Sequence, residues 1–191
     1  VDYYPKSYTY FEKYYPKDGD NNLHGKRVRE FCEDNKGILW IGTEDGGLNR
    51  FDPKTKTFSF FAPSSGFTNI HGLCMVGDKL WVGTFSKGLK IVDTNTGNIL
   101  KTYQKNASPR SLIDNSIFAI CRTTTGDIYL GTMFGLLRYN EQTDDFDRIE
   151  ELTGRFVYDI KEDSGGNLWL ATYVDGAYCY NVNEKKWKNY V

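Results

Sequence analysis

The chain has 191 residues, 24 of them Lys or Arg and 25 Asp or Glu, for a formal net charge of −1. That length fits one domain with a substantial core, and the balanced charge leaves no electrostatic footprint for nucleic acid. No apolar run approaches the roughly 18–20 residues of a membrane span. An aromatic share of 16 % beside 19 Gly and only 2 Met favours many short strands over helices.

In chain order, Val1-Asp-Tyr-Tyr-Pro5 carries neither an initiator Met nor a signal-peptide pattern, so the sequence reads as an excised piece of a longer protein. The first predicted element is a strand over residues 8–14, which resembles the closing strand of the units that follow and stands without companions. Next comes Ile38-Leu-Trp-Ile-Gly-Thr43 with Gly46-Gly-Leu-Asn-Arg-Phe-Asp52, and this pair of segments returns three times. Its later copies are Leu80-Trp-Val-Gly-Thr84 with Gly88-Leu-Lys-Ile-Val-Asp93, Ile128-Tyr-Leu-Gly-Thr132 with Gly135-Leu-Leu-Arg-Tyr-Asn140, and Leu168-Trp-Leu-Ala-Thr172 with Gly176-Ala-Tyr-Cys-Tyr-Asn181. Gly42, Gly83, Gly131 and Ala171 are equivalent and lie 41, 48 and 40 residues apart. A repeat of that length points to a propeller, solenoid or array.

Each repeat divides into four short strands, A to D, and no segment keeps a 3.6-residue period. In the first repeat they are predicted near residues 28–33, 38–43, 48–51 and 58–61. The A–B turns are Asp34-Asn-Lys-Gly37, Gly77-Asp78, Thr124-Thr-Gly-Asp127 and Asp163-Ser-Gly-Gly166, rich in residues that tolerate tight hairpins. The C–D turns each open on Asp or Asn (Asp52, Asp93, Asn140, Asn181), whose side chains can cap the backbone two residues on. The long D–A connections share Asn22-Leu23 and Ser111-Leu112, five residues before Val28 and Ile117. The expected fold is all-β: a propeller of four four-stranded antiparallel blades, over residues 27–61, 69–104, 116–149 and 156–190, plus the lone outer strand.

Strand B is apolar throughout, which means that both of its faces are buried, as in a blade held between two others. Trp40, Trp81, Tyr129 and Trp169 are then the wedges of the interfaces. Gly42, Gly83, Gly131 and Ala171 leave space for a side chain from the adjacent blade. Cys32, Cys74 and Cys121 share one place on strand A in neighbouring blades, too far apart for a disulfide, so they and Cys179 are expected to be reduced and mostly buried. No C-x-x-C is present, and His24 and His71 have no ligand spacing, so no metal and no cofactor is expected.

The segment Val28-x-x-Phe-x-Glu-Asp-x-x-Gly-Ile-Leu-Trp-Ile-Gly-Thr43 with Gly-Gly-Leu-Asn-Arg-Phe-Asp52 resembles the two-component regulator propeller repeat. Val157-Tyr-Asp-Ile-Lys-Glu-Asp-x-x-Gly-Asn-Leu-Trp-Leu-Ala-Thr172 is similar to it as well; the middle repeats depart, Met75-Val-Gly-Asp78 lacking Glu-Asp and Tyr129 replacing Trp. The resemblance implies the periplasmic sensor region of hybrid two-component systems common in Bacteroidetes, where propeller blades, usually in rings of seven, perceive glycan breakdown products. The kinase would lie outside this chain.

No catalytic residues are read from the sequence: the recurring acidic pairs sit at hairpin ends, and no Ser/His/Asp constellation is placed. Binding is better supported. Propeller ligands sit near the axis, at the mouth formed by D–A connections and B–C turns. Arg29, His71, Phe118 and Tyr158, the second residue of each strand A, lie there. Phe85, Phe134 and Tyr173 from the B–C turns accompany them, as do Glu44, Asp45, Met133 and Asp175. Aromatic faces stack on sugar rings while Arg and His donate to hydroxyls, which suits the oligosaccharide ligand that the resemblance implies. Two other readings stand beside the sensor: a protein-interaction propeller of a surface-assembly or secretion factor, and a lyase like the streptogramin-inactivating enzymes, for which only His71 could serve as base. The terminal blades, each lacking a neighbour, are expected to drive self-association.

Overall fold

The computed structural model describes residues 12–17, 19, 21–61 and 66–191. Sixteen strands form four antiparallel sheets, each in simple meander order. The first holds β1 (Val28–Glu33), β2 (Leu39–Thr43), β3 (Leu48–Asp52) and β4 (Thr57–Phe61). The second holds β5 (Ile70–Val76), β6 (Lys79–Thr84), β7 (Leu89–Asp93) and β8 (Ile99–Tyr103). The third holds β9 (Ile117–Arg122), β10 (Ile128–Thr132), β11 (Gly135–Asn140) and β12 (Asp145–Ile149). The fourth holds β13 (Val157–Glu162), β14 (Leu168–Thr172), β15 (Ala177–Asn181) and β16 (Lys186–Tyr190). Among the described residues a single 3-10 turn, Glu150–Leu152, interrupts the strands. Of the lone outer strand, residues 8–11 lie outside the described residues. Residues 12–14 form no strand; Tyr14 instead packs on Phe51 and Phe58 of the first blade, with ring centroids 4.9 and 5.5 Å away.

The turns follow from local chemistry. Asp52 Oδ1 accepts the amides of Lys54 and Thr55, and Asp93, Asn140 and Asn181 repeat the pattern. In the A–B turn, Asp34 Oδ1 accepts the amides of Lys36 and Ile38, while Oδ2 takes the buried indole N–H of Trp40 at 3.0 Å. Asp163 does the same for Gly165, Asn167 and Trp169. The Asp-x-x-Gly-x-x-Trp spacing is thus a hydrogen-bonded unit that fixes the wedge. The threonine ending each strand B closes the following turn: Thr43, Thr84, Thr132 and Thr172 donate to the carbonyls of Gly47, Gly88, Gly135 and Gly176 at 2.7–2.9 Å.

Three apolar layers bind the blades in series. Trp40 and Ile38 of the first blade meet Ile70, Leu80 and Val82 of the second. Trp81 and Ile91 meet Ile117, Ile128 and Leu130 of the third. Ala119 and Leu136, with Tyr129 at the margin, meet Val157, Leu168 and Leu170 of the fourth. Strand B therefore sends alternate side chains to opposite neighbours, which is why it reads as continuously apolar. The glycines are seats for the first residue of the next strand A. A Cβ at Gly42 would fall 2.5 Å from Ile70 Cγ2, one at Gly83 2.7 Å from Ile117 Cγ2, and one at Gly131 2.8 Å from the Val157 carbonyl. No core layer among the described residues joins the fourth blade to the first. Val28 and Phe31 of the first blade and Ala171 of the fourth are exposed, and Trp169, 37 % exposed, wedges nothing here.

One half-buried cysteine lines each layer: Cys32, Cys74 and Cys121. Only Cys179 on β15 is fully buried, so the expectation of mostly buried thiols is corrected for the other three. All four are free, and burial pushes the first three from an ordinary 9.0 up to about 11. These native thiols keep their protons where unfolded thiols have lost them, so stability is complete below pH 9 and falls between pH 9 and 11. Thiol titration at pH 8 should count four groups in denaturant and fewer, slowly reacting ones in the native protein; four fast native thiols would contradict the burial.

Candidate ligand site at the mouth of the blades

Strand A of every blade carries a bulge at its start. The register skips one residue between Val28 and Glu30, Ile70 and Gly72, Ile117 and Ala119, and Val157 and Asp159. The skipped residues are Arg29, His71, Phe118 and Tyr158. A bulge releases its extra residue from the front–back alternation of the sheet and re-aims its side chain, so one residue per blade can turn to a common centre. The B–C turns of the first, second and fourth blades are tied beside it. The amides of Glu44, Phe85 and Tyr173 donate to the carbonyls of Arg27, Asn69 and Phe156, the residues just before strand A, at 2.9–3.0 Å.

The result is a continuous aromatic surface over three blades. His71 lies 4.9 Å from Phe118 and 6.0 Å from Phe85 between ring centroids. Phe118 lies 4.4 Å from Phe156 and 5.9 Å from Tyr158, and Phe156 stacks on Tyr173 at 5.4 Å. Phe118, 7 % exposed, is the packed centre, while Tyr158 and Tyr173 (70 % exposed) present their rings to solvent. At the first-blade end, Arg29 grips Glu44 Oε2 through Nε and Nη2 at 3.1 and 2.7 Å, and Arg27 takes Oε1 at 2.9 Å. These bonds hold the Glu44 carboxyl below its ordinary range. His71 Nε2 bonds Asn69 Oδ1 at 2.8 Å; burial first, and then the nearby Arg29 charge, lowers its pKa from 6.5, so the imidazole is neutral at neutral pH.

Arg29, His71, Phe118, Tyr158, Phe85 and Tyr173 are thus gathered together. Phe134 is not among these ring contacts. The residue directly after the strand B threonine, Glu44, Phe85 and Tyr173 in the other blades, is Met133 in the third, whose B–C turn is also one residue shorter. Asp45 accepts the amides of Lys26 and Arg27, and Asp175 pairs with Arg155 at 2.7 Å, so these carboxylates brace the turns. Phe156 and Asn69 are the residues that sequence reasoning missed. Their signal is position: both directly precede strand A. Among the described residues no group of His, Cys, Asp and Glu could hold a metal ion.

Four-stranded meanders stacked around an axis, with an aromatic mouth built by bulges, define a β-propeller. Residues 22–45 and 151–174, in the first and fourth blades, match the two-component regulator propeller. It is 32 % identical over 151 residues to histidine kinase P4 of Formosa agariphila, an alignment covering 71 % of this chain and 11 % of the kinase. It superposes on the extracellular domain of a hybrid two-component system from B. thetaiotaomicron with a TM-score of 0.72 at 23 % identity, over 88 % of this chain and 25 % of that one. PorZ, a surface component of the type-IX secretion system of Porphyromonas gingivalis, matches all of this chain and 30 % of its own, with a TM-score of 0.67 and 20 % identity. The chain therefore spans about a tenth of the kinase and about a quarter to a third of these structures. Among the described residues no helix is long and apolar enough to cross a membrane.

Proposed function

We propose that this chain is part of the extracytoplasmic, periplasmic sensory propeller of a two-component signalling protein and that it perceives glycan-derived ligands at the aromatic mouth. The observation that carries the reading is the set of four bulge residues, one per blade, that builds a single surface of rings ending in a charged arginine pair. Planar rings cover the apolar faces of sugars, and fixed donors select hydroxyls. The relatives support a signalling role, since a histidine kinase and a hybrid two-component system carry similar blades. Kinase chemistry belongs to other parts of such proteins.

A glycan array probed with the purified chain tests this. Binding to at least one oligosaccharide is expected, weakened about tenfold, or roughly 1.4 kcal/mol, by Tyr158→Ala or Tyr173→Ala and unchanged by Phe134→Ala. Retention of no glycan would overturn it. The similarity over the whole chain to PorZ favours the second reading, a protein-interaction propeller, which predicts capture of a protein partner that these tyrosine variants weaken.

The exposed Val28 and Phe31 of the first blade and the open face of the fourth lead us to infer self-association. The exposed Val28 has the β-branched shape of the side chains seated on glycine at the inner interfaces, and Ala171 is the matching open seat. Light scattering should give a dimer at micromolar concentration; a stable monomer that melts cooperatively would overturn the inference.

A further inference from the structure

The repeat is broken at one place. From the strand A cysteine to the strand B aromatic there are eight positions in the first blade (Cys32 to Trp40) and in the third (Cys121 to Tyr129), but seven in the second (Cys74 to Trp81). The second blade therefore closes β5 to β6 through a two-residue turn, Gly77-Asp78, with Val76 pairing Lys79. Two consequences follow. The turn residue that laces one blade to the next has no counterpart: Asn35 Nδ2 reaches the Gly77 carbonyl at 3.3 Å, and Thr124 reaches both Glu162 oxygens at 2.7 and 2.9 Å, yet among the described residues no A–B turn side chain of the second blade bonds to the third. The carboxylate that receives the wedge indole is also missing. Trp81 is 5 % exposed, and among the described residues its N–H meets no acceptor, whereas the indoles of Trp40 and Trp169 are bonded to aspartates.

Between these two blades, away from the mouth, a cleft of about 930 Å³ opens, lined by Gly77, Asp78, Trp81 and the rings of Tyr103 and Tyr139. That volume is within the range of small-molecule sites. Trp81 and its A–B turn both line the cleft. Three of the five carboxylates lining the cleft are engaged: Asp127 by Arg138, Asp144 by Lys101, Tyr103 and Tyr139, and Asp147 by Arg110. The uncommitted cations are Lys79 and Arg122, which line the cleft and form no ion pair among the described residues. Asp78 and Glu141 also line the cleft without an ion pair among the described residues, and all four of these side chains are exposed.

The geometry points to a second binding site in this cleft, for a saccharide unit bearing an acid group. The rings cover its apolar face, the Trp81 indole and Lys79 donate to its oxygens, and the planar Arg122 guanidinium takes the oxyanion bidentately. A local break in an otherwise regular repeat marks function more often than accident. The ligand class rests on the glycan reading above; the site itself does not.

The test is NMR of the four indole N–H resonances of the whole chain, titrated with digalacturonate and, separately, with cellobiose. Digalacturonate should move the Trp81 resonance, identified by its loss in Trp81→Phe, and cellobiose should move it at least tenfold less. Trp81→Phe and Arg122→Gln should each weaken digalacturonate binding at least tenfold. Replacing residues 76–78 by Asp-Asn-Lys-Gly, the first blade's turn, should abolish binding while keeping or raising the melting temperature. Tyr158→Ala, which disables only the mouth, should leave the Trp81 response intact. The proposal is overturned if the Trp81 resonance stays still at 10 mM of about 1 mM-affinity probe, if cellobiose moves it equally, or if the turn replacement binds normally.

Discussion

Gly83→Leu should lower the melting temperature of this chain by about 6–12 °C, while Ala171→Leu, at the same place in the fourth repeat, should leave it within about 2 °C. At Gly83 the first added carbon alone would sit 2.7 Å from Ile117 Cγ2, 3.0 Å from its Cβ and 3.2 Å from its carbonyl oxygen. Ile117 is fully buried and β-branched, and the carbonyl is backbone, so neither can swing aside. Overpacking of this kind typically costs about 1–3 kcal/mol, and with two rigid obstacles the upper end applies. Ala171 already has a Cβ and is exposed in the single chain, so below the concentration of self-association the isobutyl group meets solvent there and the change stays within about 0.5 kcal/mol. Differential scanning calorimetry of both variants checks this. Equal melting temperatures would remove the account of glycine as the seat of the next blade.

Asp34→Ala should destabilise the chain by about 3 kcal/mol, well beyond Asp163→Ala at about 1 kcal/mol. Each aspartate accepts two backbone amides and one indole N–H, at distances between 2.9 and 3.1 Å. The difference lies in burial. Trp40 is completely enclosed between the first two blades, so loss of Asp34 leaves its N–H without protein or water, a cost of about 1–3 kcal/mol in addition to the turn amides. Trp169 stands on the open face of the last blade, where water replaces the carboxylate. Urea unfolding should show the midpoint shift with an unchanged slope. In a double-mutant cycle, Trp40→Phe should relieve much of the Asp34→Ala cost. Additive effects would mean that the Asp–Trp bond does not fix the wedge.

The strands, their turns and the stacking of blades were legible because each rests on local chemistry repeated four times. Asp or Asn opening the C–D turns, glycine two residues past the aromatic, and an apolar strand B all carry their meaning within a few residues. Position two of strand A was legible as a mouth residue for the same reason, since Arg29, His71, Phe118 and Tyr158 recur in register. The roles of Thr43, Thr84, Thr132 and Thr172 were visible as a pattern but not as a bond, because the hydroxyl's partner is a carbonyl that any residue supplies.

By itself, then, the sequence determined the blade as a unit: four strands, two kinds of capped turn, a wedge and a seat. What it did not determine is what each blade meets. Trp40 and Trp169 occupy identical local sequences, yet one is sealed and the other open, because burial is set by the neighbouring blade. Phe156 joins the aromatic mouth through the turn of its own blade closing over it, and Phe134 leaves it through a turn one residue short. The cleft at Trp81 likewise arises from a deletion in one blade acting on its neighbour. These are contacts between segments distant in sequence, and their distances exist only once the blades are stacked.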